Sequence, residues 1–415
     1  IRWSRYDGVN WSEPASIAAD TRGEFNPQVK FDGNGSAVAV WERVKDPDFS
    51  ELDLTALAEQ MEIVWSRWNP TSGTWSEPSA LTDNAYLDRL PKLAGPLENG
   101  DLLVAWTVNT SNVLAGATSD ENALTTDSVM WSRWDAASQT WSAPEVLLDE
   151  MVNWDSMSFS ASSNKAVFAW TAAPDGRTDG QMNQELYAKV WTSGVWEAAR
   201  LCTSNSVADR NVRVELSASG DVHMVWQQES NLVSSLNFSP TAKLIRSATS
   251  GLGFSDFALT YGPAGNMVVL WQEMTENGSD AHVSVYDPIS DTWSQDIRLF
   301  NDAPLERSFA PVWDDVGNLT VAYNSVDVVM TNTVVDEEGD SSVTVTNMPQ
   351  PGAVNLCVMK RSLITDVAIE AGDFTISGAN YLPGDAVTLS ATVRNVGDIA
   401  VTNLAVSFYQ GYPAS

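Results

Sequence analysis

The sequence has few of the residues that build metal and redox sites. In 415 residues it has two cysteines, Cys202 and Cys357, and two histidines, His223 and His282. These four cannot supply a zinc site with the usual ligand spacing. The two cysteines lie in different sequence repeats, so we do not assume a disulfide between them. The sequence therefore predicts a protein that needs no cofactor.

Basic residues are also scarce. The chain has 23 Lys and Arg against 54 Asp and Glu, which gives a formal net charge of −31 and a pI of about 4.1. Phosphate backbones and anionic lipids both require a basic surface, so nucleic acid and anionic membranes are excluded as partners. An acidic surface is typical of an exported protein kept soluble in salty water. The alternative is that clustered carboxylates bind a cation such as Ca²⁺.

Long apolar runs are missing too. No stretch reaches the roughly 20 residues that a membrane-spanning helix needs, so we expect no transmembrane segment in this chain. The sequence begins at Ile1 without an initiator Met or a signal peptide. We therefore expect it to be a mature or trimmed fragment.

Tryptophan is abundant, with 18 residues, and it recurs at regular spacing. One recurring phrase is EIVWSRWNPTSGTWSEP (62–78), with versions at 1–14 and 129–144. A second is a short apolar run that follows a Gly or Asn turn and ends in an aromatic residue. The second phrase occurs at 32–41, 98–106, 162–170, 218–226, 263–271 and 315–323. Its spacing is within the range of propeller repeats.

Each repeat fits four strands, here called a to d. Strand a precedes the Gly turn, for example Pro91–Leu97, and strand b is the apolar run that follows it. Strand b is apolar on both faces, as expected between neighbouring sheets, whereas strand c alternates. Four-stranded units of this kind build a β-propeller. Residues 1–19 either complete the last blade, giving six blades, or belong to an extra blade, giving seven. We expect seven, because residues 354–363 already occupy strand c of the final blade.

The hairpins between strands c and d resemble the Asp-box (BNR) turns of sialidase-like propellers, in which S-x-D-x-G-x-T-W joins two outer strands. The turns here are at 6–11, 68–75, 134–141 and 286–293. In the longer turns Asn69, Asp135 or Asp287 lies six residues before the Trp, one position from the family pattern. The repeat is degraded at 189–199 and has lost the turn at 236–246. The resemblance covers about 1–363 and implies a sialidase-like fold.

Residues 364–415 have a different pattern, without Trp, in which short alternating strands are separated by PGD and NVGD turns. This pattern predicts an immunoglobulin-like β-sandwich. The segments DVAI, LPGDAVTLSATVRNVGD and VTNLAVSFYQG resemble the CARDB module, a domain related to bacterial cell adhesion. The resemblance implies an incomplete module, because the family continues for several more strands.

Three arginines are the candidate ligand-binding residues. Sialidases begin their first blade with Arg-Ile-Pro, and that Arg binds a substrate carboxylate; Arg89-Leu90-Pro91 resembles it. Arg210 and Arg307 lie at nearly the same position of later blades, counted back from strand b. Three arginines at the start of inner strands predict a site for a carboxylate or sulfate.

A structural role is the competing interpretation of these arginines. Each follows an acid, Asp88, Asp209 or Glu306, and local ion pairs on a loop contribute little. Other blades have Glu24, Asp155 and Asp256 near the same point, so acids and arginines alternate. A sialidase also needs a Tyr nucleophile with a Glu partner, and the nearby candidates are Tyr86 and Tyr261, neither in a recognisable context.

The Trp-Ser-Arg-Trp phrase allows two roles. It is either a platform on which sugar rings stack, or packing between blades, with the Arg stacked on Trp or paired with acids. We favour packing, and expect the Asp-box Trp of each hairpin (Trp11, Trp75, Trp141, Trp293) to pack in the hairpin core.

The acidic stretches 44–53 and 334–340 lack the ligand spacing of an EF-hand. Segment 51–60 is expected to form a short surface helix.

Together these features predict an exported bacterial surface protein with a structural, adhesive or glycan-binding role. Its expected partners are extracellular glycan or neighbouring surface-protein subunits. Two alternatives stay open: a sialidase-like glycoside hydrolase, and a homopolymer whose subunits join through an open sheet edge of the C-terminal module.

Overall fold

A computed structural model describes most of the chain, and it is nearly all β. The described residues are 1–7, 9–48, 53–112, 127–151, 154–174, 184–248, 254, 256–262, 265–275, 278–300, 304–313, 318–335, 344–363, 367–369, 371–377, 387–395 and 404–408. The chain divides into two compact units, Ile1–Ser247 and Ala248–Ser415.

The first unit contains four successive antiparallel sheets, named blades 1 to 4, each with strands in the order a-b-c-d. Blade 1 is Glu24–Phe31, Ala37–Val44, Met61–Asn69 and Thr74–Trp75. Blade 2 is Leu87–Ala94, Leu102–Asn109, Asp127–Asp135 and Thr140–Trp141. Blade 3 is Trp154–Ser162, Lys165–Ala172, Glu185–Thr192 and Val195–Trp196. Blade 4 is Asp209–Leu216, Val222–Gln228, Asn231–Leu236 and Lys243–Ser247.

The second unit contains blades 5 and 6. Blade 5 is Phe257–Tyr261, Met267–Thr275, Gly278–Asp287 and Thr292–Trp293. Blade 6 has the three strands Leu305–Trp313, Asn318–Val335 and Thr344–Ser362. One parallel pairing, Ser279 with Leu305, links the two blades into one sheet. The assignment of residues 354–363 to strand c of the final blade is confirmed, because Thr344–Ser362 pairs with strand b.

Short extra strands extend several of these sheets. In blades 1, 2, 3 and 5 a further strand pairs with strand c: Ser79–Ala80, Glu145–Met151, Arg200–Leu201 and Ile297–Arg298. At the N-terminus Arg2–Trp3 pairs with Ala15–Ser16, and Tyr6 bridges to Trp11. In blades 1, 2, 3 and 5, strand c makes the same two pairings, one with the short extra strand and one with strand d. Residues 1–16 are therefore the outer part of a blade, as the repeat predicted.

The core lies between successive blades. Strand b is buried on both faces, as its unbroken apolar sequence predicts: every residue of Leu102–Asn109 is buried. One cluster joins Val38 and Val40 of blade 1 to Val104 and Trp106 of blade 2. Clusters of the same kind join blades 2 and 3, blades 3 and 4, and blades 5 and 6. The prediction of an all-β fold built from propeller-type blades is confirmed; the total of seven blades stays a prediction.

The remaining elements are small. A single-turn helix, Leu54–Ala58, is capped by the Asp53 side chain, which accepts the N–H of Ala56. No helix in the described part of the chain is long and apolar enough to cross a membrane. Cys202 and Cys357 are both free thiols.

The C-terminal segment has two short strand pairs among its described residues. Val367–Ala368 pairs with Arg394–Asn395, and Phe374–Ser377 pairs with Thr388–Ala391. The sandwich, the CARDB resemblance and the boundary between 363 and 364 stay predictions.

Candidate functional site

The start of strand a has the same irregularity in several blades. The register with strand b shifts after Phe25, Arg89, Arg210 and Arg307. The next residue in each blade has a positive φ: Asn26 at 51°, Leu90 at 56°, Asn211 at 59° and Ser308 at 59°. A bulge of this kind bends the strand and redirects the side chains beside it. The three predicted arginines therefore occupy one structurally equivalent position.

The arginines differ in their surroundings. Arg89 is half-buried, and its Nε has no hydrogen-bond partner among the described residues. Arg210 is half-buried and lines a cavity of about 230 Å³ together with Gln227 and Glu229. Arg307 is exposed and belongs to the second unit. Their convergence on one ligand stays a prediction.

Two of the acids that precede the arginines, Asp88 and Asp209, bind tryptophan side chains instead of forming the local ion pairs of the competing interpretation. The indole N–H of Trp106 donates to Asp88 at 2.8 Å, and that of Trp226 donates to Asp209 at the same distance. Trp41 and Glu24 repeat the contact in blade 1 at 3.0 Å. The ion-pair interpretation is therefore wrong for Asp88 and Asp209, whose carboxylates instead hold the buried tryptophan that ends strand b.

Burial has a large effect on Asp88. It raises the pKa of this carboxyl to about 7, and the nearby Glu62 carboxylate acts in the same direction. Hydrogen bonds from Asn84 and Trp106 favour the ionised form and oppose the increase in pKa. Asp88 therefore titrates near neutral pH, one residue before Arg89.

A carboxylate of the preceding blade binds the N–H of each bulge after an arginine. Glu42 of blade 1 accepts from Leu90 at 2.7 Å, and Asp155 of blade 3 accepts from Asn211 at 3.0 Å. In the second unit Asp256 of blade 5 accepts from Ser308 of blade 6. The acids of the intervening blades thus connect neighbouring blades.

The two tyrosine candidates do not form a nucleophile pair with glutamate. Tyr86 is 46% exposed, its backbone N–H donates to Asn84, and its phenol contacts no described carboxylate. Tyr261 pairs with Met267 at the end of its strand opposite to Asp256, away from the bulge position. Among described residues the bulge ends therefore hold cations and acids, without a tyrosine–glutamate pair.

The outer hairpins explain why the sequence repeats Trp-Ser-Arg and Trp-Ser. The hydroxyl of the serine in Trp-Ser-Arg donates to the backbone carbonyl of the serine in the second Trp-Ser. The hydroxyl of that second serine accepts the backbone N–H of the arginine or other residue that follows the first serine. Ser66 and Ser76 show the first contact at 2.7 Å, and Ser132 and Ser142 repeat it at 2.8 Å. The same pair recurs as Ser4 with Ser12 and Ser284 with Ser294. These serine pairs were not predicted, although three of the four recur at a spacing of ten residues in the sequence.

The turn between these strands is built as a side-chain-capped loop. Asn69 Oδ1 accepts the N–H of Thr71, and Asp135 Oδ1 accepts those of Ala137 and Ser138. Blade 3 keeps the hairpin, with Trp191 paired with Trp196, but Thr192 pairs with Val195, so its loop is only Ser193 and Gly194. The repeat at 189–199 is therefore degraded in sequence but retained in structure.

The tryptophans of the repeat pack between blades, as predicted. Trp65 of blade 1 lies 5.1 Å from Trp134 of blade 2, and Trp3 lies 4.8 Å from Trp68, both measured between ring centroids. Trp75 and Trp141 each pack on the second Trp of their own hairpin, Trp68 and Trp134.

The arginine of the repeat pairs with the acid of the a–b turn. Arg133 Nε donates to Asp101 at 2.6 Å, and Arg67 donates to Ser36 at 2.6 Å beside Asp32.

A groove runs between the outer hairpins of blades 1 and 2. It has a volume of about 330 Å³ and is lined by three tryptophans, one arginine and a set of hydroxyl and amide side chains. These are Trp65, Arg67, Asn69, Ser72, Thr74, Trp75, Ser76, Trp134 and Gln139. Three of its donors, Arg67 Nε, Trp75 Nε1 and Trp134 Nε1, have no hydrogen-bond partner among the described residues. These three donors are themselves enclosed, so the groove combines indole faces with the exposed hydroxyl and amide side chains of its lining.

No group of three or more His, Cys, Asp or Glu side chains is arranged to hold a metal ion within the described ranges. The acidic stretch 44–53 is described except for 49–52. Residues 336–340 of the stretch 334–340 lie outside the described residues.

Comparisons with known proteins agree with the fold. No family model matches the chain, and no curated protein matches it. A crystal structure of a protein of unknown function from Dyadobacter fermentans is similar over 74% of this chain and 92% of that chain. The identity is 14% and the TM-score 0.50. At this identity the similarity shows the fold alone.

Two sialidase structures are also similar. A leech intramolecular trans-sialidase has 8% identity and a TM-score of 0.44, and the similar region includes 73% of the present chain and 65% of the trans-sialidase. A Trypanosoma rangeli sialidase has 11% identity and a TM-score of 0.42, and the similar region includes 73% of the present chain and 52% of the sialidase. The present chain thus spans only part of the length of either sialidase. These similarities assign no activity.

Proposed function

We propose that the protein is an exported, glycan-binding β-propeller of a bacterial surface, and that it binds rather than cleaves its ligand. The groove between blades 1 and 2 is the observation that supports this. The apolar face of a sugar ring packs on an indole, and its hydroxyls need hydrogen-bond partners. Trp65 and Trp75 supply such faces, and the exposed Asn69, Thr74 and Gln139 supply hydrogen-bonding groups beside them.

The size and polarity of the groove also suit a sugar. A volume of about 330 Å³ is at the lower end of typical ligand sites and fits one sugar residue of a longer chain. Asn69, Thr74 and Gln139 line it with amides and hydroxyls that bind sugar hydroxyls. Binding of one residue in an open groove is compatible with an extended extracellular glycan.

Glycan-array binding tests this proposal. We expect Trp75→Ala and Arg67→Ala each to weaken binding about tenfold or more, because each removes a stacking face or a charged donor. Trp293→Ala is the matched control: it removes the equivalent hairpin Trp of blade 5, which packs on Tyr286 and does not line the groove. Equal losses in all three variants, or no glycan bound by the parent protein, would contradict the proposal.

An anion site at the bulge ends is a second candidate. Arg89, Arg210 and Arg307 share one position immediately before their bulges, and Arg210 lines a cavity. A carboxylate or sulfate on the glycan would bind there. We expect Arg210→Lys to weaken binding of sulfated or sialylated glycans while neutral glycans bind unchanged. Release of sialic acid by the parent protein would instead favour the hydrolase alternative.

The C-terminal residues support the surface role through their resemblance to the CARDB module. We propose that this segment joins neighbouring subunits by strand addition. Light scattering of chains 1–415 and 1–363 tests it, with larger assemblies expected only for the longer chain. A monodisperse monomer of the longer chain would contradict assembly through this segment.

A further inference from the structure

A second cavity lies between blades 3 and 4 and has no charged side chain in its lining. Its volume is about 590 Å³, larger than the groove between blades 1 and 2. Strand b of blade 4 contributes Met224, Trp226 and Gln228, and the connection after strand c contributes Ser239 and Thr241. In a chain of net charge −31, a cavity of this size lined only by neutral side chains is chemically distinct from the rest of the protein.

Small side chains replace large ones at this interface between blades, and one of them, Cys202, lines the cavity. The pairing of strands b and c identifies equivalent positions: Trp65 pairs with Val40, and Ala188 pairs with Ala169, each one residue before the Trp that ends strand b. Between blades 1 and 2 this space is filled by Trp65, Trp134 and Leu81. Between blades 3 and 4 the equivalent residues are Ala188, Asn237 and Cys202.

Blade 4 has also lost the outer hairpin that covers this region elsewhere. Its strand c reads NLVSSL, so Ser235 stands where Ser132 stands in blade 2, and no Trp-Ser strand follows it. Instead Ser235 donates to the carbonyl of Ser239 at 2.9 Å, which folds the connection across the cavity. Phe238 fills part of the vacated space, with the Arg200 guanidinium 4.5 Å from its ring centroid.

The wall of the cavity has hydrogen-bonding groups that the protein leaves unused. The side chains of Ser204 and Thr241 and the amide oxygen of Gln228 have no partner among the described residues. The Gln228 amide N–H₂ donates to Asp209 at 3.0 Å, which fixes that oxygen's orientation. Hydroxyls donate and accept hydrogen bonds, and the amide oxygen accepts them, so together they can bind a ligand that itself has many hydroxyls.

We propose that this cavity binds a neutral saccharide of one or two rings. The lining has no cation for an anionic ligand. The nearby carboxylates of Asp209 and Glu185 already accept hydrogen bonds from the wall residues Trp226, Gln228 and Thr203. A charged ligand would therefore lose hydration without a free counter-charge, which costs several kcal/mol, whereas sugar hydroxyls would pair with Ser204, Thr241 and Gln228. The volume suits a disaccharide. The proposal rests on the glycan-binding function above, and it gives that function a second site and a ligand class.

Cys202 in the cavity wall is a reporter for occupancy. Burial raises the pKa of its thiol to about 11, so the thiolate that reacts with alkylating reagents is scarce and labelling is slow. In a Cys357→Ser background, Cys202 is the only thiol of the chain. The experiment measures its rate of alkylation by iodoacetamide at pH near 9, with neutral sugars (glucose, galactose, mannose and their disaccharides), glucuronate or glucosamine present. We expect at least one neutral sugar to slow labelling about tenfold, and the charged sugars to have no effect.

Two variants connect protection to the cavity. Ala242→Phe fills the cavity wall and should abolish protection; Thr241→Val removes one hydroxyl at nearly constant volume and should weaken sugar binding about fivefold. Thr140→Val is the matched control, since it removes a hydroxyl from an exposed outer turn outside both sites, and it should leave protection unchanged. If Ala242→Phe does not fold, Thr241→Val alone tests the proposal.

The outcomes separate this proposal from the groove. No protection of Cys202 by any neutral sugar, or equal protection by charged sugars, overturns the cavity proposal even where Trp75→Ala abolishes glycan binding. Protection that Thr241→Val weakens and Trp75→Ala leaves intact supports the cavity, even where glycan-array binding at the groove fails.

Discussion

At the scale of single residues, Asp88 shows how a buried partner outweighs a sequence neighbour. Its neighbour along the chain is Arg89, but its carboxylate accepts the Trp106 indole N–H from 18 residues away. The bulge after Arg89 turns the arginine away, so the pair that sequence adjacency suggested does not form. A buried indole N–H without a partner would cost about 1–3 kcal/mol. This cost explains why an acid precedes the bulge in blades 1, 2 and 4.

Asp88 also predicts a pH dependence of stability. Its pKa is about 7 in the folded chain, against 3.8 for an unperturbed aspartate. Between these values the folded state binds more protons than the unfolded state, so stability falls as the pH rises through this window. Asp88→Asn removes this titration and keeps a carbonyl oxygen for Trp106. We expect the free energy of unfolding to fall less steeply between about pH 5 and 7, by up to about 1.4 kcal/mol per pH unit.

Urea unfolding at several pH values measures this slope. Asp7→Asn is the control, because hydrogen bonds from Asn10 and Val9 lower the pKa of exposed Asp7 and move its titration below this window. Identical slopes for the parent protein and Asp88→Asn would show that Asp88 is already ionised at pH 5.

At the scale of elements, the outer hairpin is fastened by a serine pair. Ser66 is fully buried, and it donates to the carbonyl of Ser76. Ser66→Ala removes the donor and leaves that carbonyl without this bond. We expect a loss of about 1 kcal/mol in the free energy of unfolding, measured by urea denaturation. Ser72→Ala, in the exposed turn of the same hairpin, should change it by less than about 0.5 kcal/mol. Equal effects would mean that the pair does not fasten the hairpin.

The sequence predicted strands b and c well and strand a less well, for a physical reason. Strand b is an unbroken apolar run and strand c alternates, so both have a clear signal. Strand a of blade 2 was expected at Pro91–Leu97, but it begins at Leu87 and ends at Ala94. The bulge after Arg89 interrupts the two-residue alternation and hides the first residues of the strand. The equivalent positions of the three arginines were nevertheless predicted correctly, because that prediction counted residues back from strand b and did not depend on the start of strand a.

At the scale of the whole molecule, the sequence predicted the kind of fold but not its cavities. Repeated Trp, Gly turns and apolar runs are local signals, and they identify blades. The cavity between blades 3 and 4 is lined by residues that are far apart in the sequence, such as Leu186, Met224 and Ala242, and that meet only when two sheets pack. A degraded repeat in blade 4 was visible in the sequence, and the space that it leaves was not.

Charge acts on the whole molecule as well. A net charge of −31 makes the compact state repel itself, and salt screens this repulsion over about 10 Å at 0.1 M ionic strength. We expect the melting temperature to rise as NaCl increases from about 0.01 M to 0.5 M, by several degrees.

CaCl₂ and MgCl₂ at equal concentration should give the same increase as each other, because screening does not distinguish the two ions. Differential scanning calorimetry measures both comparisons. A melting temperature that falls with NaCl would contradict self-repulsion. A larger increase with Ca²⁺ than with Mg²⁺ would mean that some carboxylates form a selective calcium site, since Ca²⁺ accepts irregular oxygen ligands that Mg²⁺ does not.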